Sequence, residues 1–162
     1  MSHELRFERV FDASVEEVFD ALASREGLEE MYGSDEPGWI VESEGEVRVG
    51  GTWGVTFGLQ ESGLYRFAHA YEALDRPRRI AYVVTQADLN GLSFQTRVEI
   101  SLQGLAGGRT LMRIVESGFP SAEERDLHMT GMPDALERVA RFVGDRGSGA
   151  WEAGERKEPI DG

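Results

Sequence analysis

Three side chains in the middle of the chain have the types needed for general acid–base chemistry: His69, Tyr82 and Glu116. A histidine and a carboxyl group can move a proton to and from one substrate atom when both reach it. Spacing along the sequence gives no distance across a sheet, so their convergence is left open. They are the catalytic candidates, and whether the protein is an enzyme is undecided.

Other site chemistries find no support in the residues. The chain has no Cys, and His3, His69 and His128 show neither HxxxH nor HxH spacing, so neither a metal nor a cofactor is expected. The glycine pairs at 50–51 and 107–108 lack the strand-to-helix context of a phosphate loop. No serine stands in the strained turn that an activated nucleophile needs.

The elements that would position these residues begin with a strand and two short helices. Residues 5–11 alternate apolar and polar side chains, which predicts a half-buried strand. Ser14 and Glu17 have the spacing of a capping box and predict the start of a helix. Gly27 interrupts the helical pattern, so a second short helical turn is expected over 28–32.

Six further strands are predicted, separated by short segments rich in turn residues. The Asn90-Gly91 pair is the clearest hairpin signal among these segments. Closely spaced strands with short turns indicate a meandering antiparallel sheet, of seven strands once the first is included. The six predicted strands are 39–48, 52–59, 63–74, 79–87, 92–102 and 109–117.

A long amphipathic helix closes the predicted domain, residues 1–143. It begins at a second capping box, Ser121 and Glu124, and runs for about six turns. Pro133 lies inside it and predicts a kink or restart. Residues 144–162 are polar and are expected to form a disordered tail. The apolar stripe of the helix consists of His128, Met132, Ala135, Leu136, Val139, Phe142 and Val143.

A sheet with one apolar face needs a cover, and the last helix has the length and stripe to supply it. Such a pairing leaves a cavity at one end, which is where small ligands bind. For the strand 63–74 the face with Phe67 and His69 is taken as inward because it is bulkier, although Leu64 and Ala68 leave the opposite choice open. The predicted ligand-binding residues are Trp53, Phe57, Phe67, His69, Tyr82, Phe94, Met112, Glu116, His128 and Met132.

The charge restricts the class of partner. The chain has 17 Lys or Arg residues against 30 Asp or Glu, a net charge of −13, and no basic stripe, so a nucleic-acid partner is not expected. Residues 1–47 alone carry a net charge of −11, typical of a solvated face or of an acidic docking surface. No apolar run approaches the length of a membrane span, and the polar N-terminus predicts a cytoplasmic protein. A homodimer is left open.

Four short segments resemble one family. They are 11–22, 48–53, 74–80 and 110–119, and the resemblance covers about residues 4–143. In this order they are similar to the START-like superfamily, also called SRPBCC or Bet v 1-like, and within it to the branch named after the activator of the heat-shock-protein ATPase. The resemblance implies an α+β helix-grip fold, in which a curved seven-stranded antiparallel sheet wraps around a long C-terminal helix and two short helices follow strand 1.

The resemblance also implies a function. The first interpretation is binding of a small hydrophobic or aromatic molecule in the cavity between sheet and helix. The alternatives are a polyketide cyclase/aromatase-like enzyme that uses His69, Glu116 and Tyr82, and a chaperone-ATPase-activator-like interaction protein. Met31 and the pair Gly131-Met132 stand where the family often has tryptophan, which predicts a wider cavity.

Overall fold

Seven strands and three helices make up residues 3–144, the part of the chain that the computed structural model describes. Every predicted element is present, and the strand ends differ from the prediction by three residues at most. The elements are β1 (His3–Phe11), α1 (Val15–Leu22), α2 (Arg25–Met31), β2 (Trp39–Gly45), β3 (Thr52–Leu59), β4 (Gly63–Asp75), β5 (Arg79–Ala87), β6 (Ser93–Leu105), β7 (Arg109–Phe119) and α3 (Ala122–Phe142).

The strands form one antiparallel sheet in the order β1-β7-β6-β5-β4-β3-β2. Five of the six pairings join neighbours in sequence, and the sixth brings β1 back beside β7. With three helices and the long one last, the α+β helix-grip fold is confirmed. The predicted tail, 144–162, lies outside the described residues apart from Gly144. No helix within residues 3–144 is long and apolar enough to cross a membrane.

The first two helices meet at a glycine. Both halves of the predicted capping box form, since the amide of Glu17 donates to Ser14 Oγ and the amide of Ser14 donates to the Glu17 carboxylate. The prediction that Gly27 interrupts the helical pattern is wrong, because Gly27 lies inside α2. A Cβ at this position would lie 1.8 Å from the carbonyl oxygen of Ala21. Glycine is therefore required here for close approach of the helices.

The long helix α3 is capped as predicted, with the amide of Glu124 donating to Ser121 Oγ at 3.1 Å. The predicted restart at Pro133 is wrong, because the helix continues through it to Phe142. Proline removes one main-chain donor, and its position on the exposed face leaves the freed carbonyl within reach of water. Leu136, Val139 and Ala140 are buried, whereas Phe142, predicted in the stripe, is 45% exposed.

The inward face of β4 is the one predicted from its bulk. His69 and Tyr71 are buried and Phe67 is half-buried, whereas Leu64 is exposed. Tyr65 lies two residues before Phe67 but is also exposed, because β4 extends past the covered part of the sheet there. The alternation therefore predicts correctly which face of β4 points inward, but it does not predict where along the strand that face becomes exposed.

Candidate functional site

His69 is the centre of a cluster of aromatic side chains on the inner face of the sheet. It lies mid-strand in β4, beside Trp53 of β3 and Val84 of β5, and is fully buried. Its imidazole stacks on Tyr82, with ring centroids 4.3 Å apart and planes 14° from parallel. We call Tyr32, Trp53, His69, Tyr71 and Tyr82 the interior cluster.

Both ring nitrogens of His69 are occupied by phenol hydroxyls. Nε2 lies 2.8 Å from the hydroxyl of Tyr32, and Nδ1 lies 3.0 Å from that of Tyr71. Burial lowers the pKa of His69 to about 3, so the imidazole is neutral at pH 7 and bonds one hydroxyl as donor and the other as acceptor. Burial also raises the pKa values of Tyr32, Tyr71 and Tyr82, which keeps their phenols protonated.

Tyr32 fills the space between the end of α2 and the inner face of β3 and β4. It follows α2 directly, and its ring packs against Trp53, Phe57 and Phe67, with centroids 6.0, 4.9 and 5.7 Å away. The expectation that Met31 and the Gly131-Met132 pair widen the cavity overlooked this tyrosine.

Trp53 contributes a polar atom that the interior does not satisfy. The side chain is fully buried between Tyr32 and His69, and its indole Nε1 has no hydrogen-bond partner. It is the one fully buried side-chain nitrogen or oxygen without a partner among residues 3–144. An indole N–H can only donate, so this atom lacks an acceptor.

A row of hydrogen bonds connects α3 to a buried carboxyl group on β7. His128 Nε2 lies 2.7 Å from Gln86 Oε1, Gln86 Nε2 donates to Thr96 Oγ1 at 3.3 Å, and the Thr96 hydroxyl donates to Glu116 Oε2 at 2.7 Å. We call these four residues the polar row. At its outer end His128 Nδ1 lies 3.0 Å from the carbonyl of Glu124. The donors of Gln86 and Thr96 point towards Glu116.

Glu116 is the acidic end of this row and is buried. Burial raises the pKa of its carboxyl group, against the smaller opposing effects of the Thr96 hydrogen bond and of His128. Its described hydrogen bond is the one that Oε2 accepts from Thr96, so Oε1 is available to another group. The charge of Glu116 also contributes to the raised pKa values of Tyr32 and Tyr82, which puts it close to the interior cluster.

The three catalytic candidates do not form one acid–base set. His69 stacks on Tyr82, but the hydrogen bonds of His69 go to tyrosines and that of Glu116 goes to Thr96. A general base works best when its pKa lies near the operating pH, and that of His69 is about 3. No three metal-ligating side chains come together within residues 3–144.

The predicted ligand-binding residues fall into four groups. Trp53, His69 and Tyr82 belong to the interior cluster, and Glu116 and His128 to the polar row. Phe57 and Phe67 border the cluster through Tyr32, Phe67 also stacks on His128 at 6.0 Å, and Met132 is half-buried at the edge of the core. Two residues lie elsewhere: Phe94 packs against Phe119, and Met112 faces Leu102 in the aliphatic core.

Sequence reasoning left Tyr32, Gln86 and Thr96 out of the site. Gln86 continues the inward alternation of Ile80, Tyr82 and Val84, so the period of two was a sufficient signal for it. No comparable signal exists for Tyr32, because it stands at the end of a short helix, outside any strand pattern.

Two cavities of about 570 and 470 Å³, which we call the outer cavities, border the helices. The first lies between α2, Trp39 and Val41 of β2, and Arg138 of α3. The second is lined by α1 and Val143, and Phe142 is at the edge of both. Both are open to solvent. Neither touches the interior cluster.

The family model for the Activator of Hsp90 ATPase homolog 1-like protein matches residues 12–144. Solved structures with the same fold include a protein from Chromobacterium violaceum, 24% identical, with a TM-score of 0.74 over 86% of this chain and 96% of that one. The AHSA1 protein from Silicibacter pomeroyi is 17% identical, with a TM-score of 0.72 over 88% and 98%. A protein from Arthrobacter aurescens is 25% identical, with a TM-score of 0.67 over 88% and 86%.

No curated protein matches this chain. The match to the family model covers most of the chain and agrees with the four segments that resemble the family in sequence. The fold, with its seven-stranded sheet and long last helix, is that of the structural neighbours. The chain therefore belongs to the family of the Activator of Hsp90 ATPase homolog 1-like protein.

Proposed function

We propose that the protein binds a small apolar or aromatic molecule among the side chains of the interior cluster. The observation that carries this proposal is the indole N–H of Trp53, which is buried and has no acceptor. A buried donor without a partner costs about 1–3 kcal/mol, and native cores rarely keep one. A phenylalanine at this position would pack without that cost.

The residues around Trp53 also favour a ligand. Aromatic rings offer large, flat apolar surfaces, and here they stand next to a few fixed polar groups, a combination typical of small-molecule sites. His69 is held by two hydroxyls, and Glu116 uses one carboxyl oxygen and leaves the other available. A ligand could therefore be both enclosed and oriented.

Tyr32 is the side chain that would have to move. It is half-buried and lies at the end of α2, followed by the loop that leads to β2, so its rotation need not disturb the sheet. Turning it outwards would break its hydrogen bond to His69 and release the space next to Trp53, Phe57 and Phe67. We expect the ligand to take the place of this phenol ring.

Titration with 2-ethylnaphthalene and 2-acetonaphthone, followed by calorimetry and thermal unfolding, tests the proposal. Saturable binding and a raised Tm are expected, because a ligand that binds only the folded chain stabilises it by about 3 kcal/mol at a concentration of 100 Kd. Tyr32→Ala should bind more tightly, since the space is already free. Phe142→Ala, at the outer cavities, is the control and should bind like the parent. Absence of binding by both the parent and Tyr32→Ala would refute the proposal.

The alternatives receive less support. A cyclase-like reaction needs His69 and Glu116 on one substrate atom, and their hydrogen bonds lead to different partners. An acidic docking surface needs free carboxylates, and several acids of residues 1–47 pair with arginines of the same chain. These pairs include Glu8 with Arg113, Asp20 with Arg76, Asp35 with Arg138 and Glu44 with Arg66.

A further inference from the structure

From the donor left open at Trp53, we infer that the preferred ligand is a neutral aromatic molecule with a carbonyl oxygen, which accepts a hydrogen bond from Trp53 Nε1 while its ring lies among the interior cluster. This inference rests on the proposed function and names its ligand class. It predicts that three other classes of molecule of similar shape bind less tightly: hydrocarbons, carboxylates and amines.

The Trp53 donor distinguishes a carbonyl compound from a hydrocarbon. Nε1 is fully buried, and a hydrocarbon of the same shape would leave it without an acceptor. A carbonyl oxygen within hydrogen-bond distance would remove that cost. The phenols of Tyr32 and Tyr71 do not provide the acceptor, since neither forms a hydrogen bond with Nε1.

The charges around the site disfavour an anionic ligand. A buried carboxylate needs a cation or several donors, and burial keeps the histidine of the interior cluster neutral at pH 7. Its Nδ1 still faces the Tyr71 hydroxyl once Tyr32 has turned outwards. His128 already faces the carbonyl oxygens of Gln86 and Glu124. The buried Arg9 lies on β1, five strands away from Trp53 in the sheet, and pairs with Glu137 of α3. A ligand carboxylate would thus find no positively charged side chain within the interior cluster.

An ammonium group cannot satisfy the N–H donor of Trp53 either, because it cannot accept a hydrogen bond. It could approach Glu116 Oε1, but the raised pKa of that carboxyl group shows that its surroundings disfavour the charged form on which such a pair depends. The open donor at Trp53 and the neutral histidine of the interior cluster therefore favour an uncharged oxygen-bearing ligand.

The experiment compares four probes that share one naphthalene skeleton: 2-acetonaphthone, 2-ethylnaphthalene, 2-naphthoate and 1-(2-naphthyl)ethylamine. Their Kd values are measured calorimetrically at pH 7. The ketone is expected to bind about ten-fold more tightly than ethylnaphthalene, as one recovered hydrogen bond allows, and more tightly than the two charged probes.

Two variants test whether Trp53 is the cause. Trp53→Phe keeps an aromatic ring and removes the donor, so the ratio between ketone and hydrocarbon Kd values should fall to about one. Trp39→Phe is the matched control, because the Trp39 indole already donates to the backbone carbonyl of Tyr32 at 2.9 Å. That variant should keep the ten-fold ratio even if both Kd values change.

A spectroscopic measurement keeps the test independent of these substitutions. In the proton–nitrogen correlation spectrum of the parent protein, the Trp53 indole proton should move downfield with the ketone and not with ethylnaphthalene, and the spectra of the two variants assign the signals. Equal affinity for ketone and hydrocarbon, or an unmoved indole signal, would overturn the ligand class and leave the proposed function standing. Tightest binding of the amine or the carboxylate would also overturn it. Failure of all four probes would refute the proposed function itself.

Discussion

The inner face of the sheet has two ends with opposite chemistry, although the same strands build both. On β7, Met112 lies at one end of the inner face and Glu116 lies at the other. On β6, Leu102 and Thr96 occupy the corresponding ends. On β5, Ile80 is followed at the other end by Gln86. We call the first end, where Leu22, Leu102, Met112, Leu136 and Val139 pack together, the aliphatic end.

The two ends differ in how their side chains are satisfied. The aliphatic end is covered by α1 and the C-terminal half of α3 and consists mostly of apolar side chains. The buried Arg9 beside Met112 is an exception, and it pairs with Glu137 of α3. The other end is covered by Tyr32 and the N-terminal half of α3, and it holds His69, Glu116 and an indole N–H without a partner. This contrast indicates that stability comes mainly from the first end and that the second end is available for binding.

The largest effect is expected from Leu136→Ala at the aliphatic end. Leu136 is 1% exposed, and removing its side chain should lower the free energy of unfolding by about 2–5 kcal/mol through lost burial and a residual cavity. Urea unfolding measures this value. Leu127→Ala on the same helix removes an exposed side chain and should change it by less than about 0.5 kcal/mol. A similar loss in both variants would contradict the assignment of stability to this end.

Gly27→Ala tests the close contact between the first two helices at the same end. The added Cβ would lie 1.8 Å from the Ala21 carbonyl oxygen, so α1 and α2 must move apart, at a cost of about 3 kcal/mol. Gly131→Ala is the control, since a Cβ there meets nothing within 4 Å. It should raise the free energy of unfolding by about 0.5–1 kcal/mol through helix propensity. A thermal shift of the same sign in both variants would show that the helix contact is not the cause.

The burial of His69 in the interior cluster should make the stability of the protein depend on pH. The pKa of His69 is about 3 in the folded chain and 6.5 as a free side chain, so between these values the unfolded chain binds a proton that the folded chain does not. Stability should therefore fall as the pH falls from 6.5 towards 3, by about 1 kcal/mol per pH unit. In His69→Gln this loss should disappear, whatever the variant's stability at pH 7.

The titration of Glu116 should change the stability with pH in the opposite direction. Its folded pKa is raised above 4.5, so the unfolded chain releases this proton first and stability falls as the pH rises through the interval between the two values. Glu116→Gln should remove that loss and leave the acid-side loss from His69 in place. Unfolding curves of the parent and both variants from pH 4 to 8 separate the two slopes. Parallel curves for the parent and His69→Gln would show that His69 is not buried as described.

Periodicity was enough to predict most of the fold and part of the site. Alternation with a period of two predicts the strands and the inward position of His69, and the apolar stripe predicts the last helix. Both patterns depend only on residues that are close together in the sequence. Gly27 is different, because what permits it inside a helix is a contact with Ala21 of another helix. The propensity of a single residue does not report such a contact.

The organisation of the site depended on contacts that no local pattern encodes. Tyr32 reaches His69, 37 residues away along the chain, and His128 reaches Gln86, 42 residues away. The hydrogen bonds that decide whether His69 and Glu116 cooperate exist only after the sheet has formed. Residue type therefore identified the polar groups of the interior, and only the structure could show that they belong to two separate networks.

The smallest effect is expected from Thr96→Val in the polar row, where one hydroxyl is replaced by a methyl group of similar size. The change removes the donor to Glu116 and the acceptor for Gln86, and it should cost about 1 kcal/mol. It should also raise the pKa of Glu116 further, because the Thr96 hydrogen bond is the larger of the two influences that oppose the effect of burial. Carbon NMR titration of the carboxyl group measures this shift.

The chain offers a closely matched control for this substitution. On the outer face of the same strand pair, Gln95 Nε2 donates to Thr85 Oγ1 at 3.1 Å, the same kind of bond exposed to solvent. Thr85→Val should change the free energy of unfolding by less than about 0.5 kcal/mol, because water replaces the lost partner. It should also leave the Glu116 titration where it was. If Thr85→Val and Thr96→Val cost the same, the inner glutamine and threonine are no better shielded from water than the outer pair, and the two ends of the inner face do not differ in the way described.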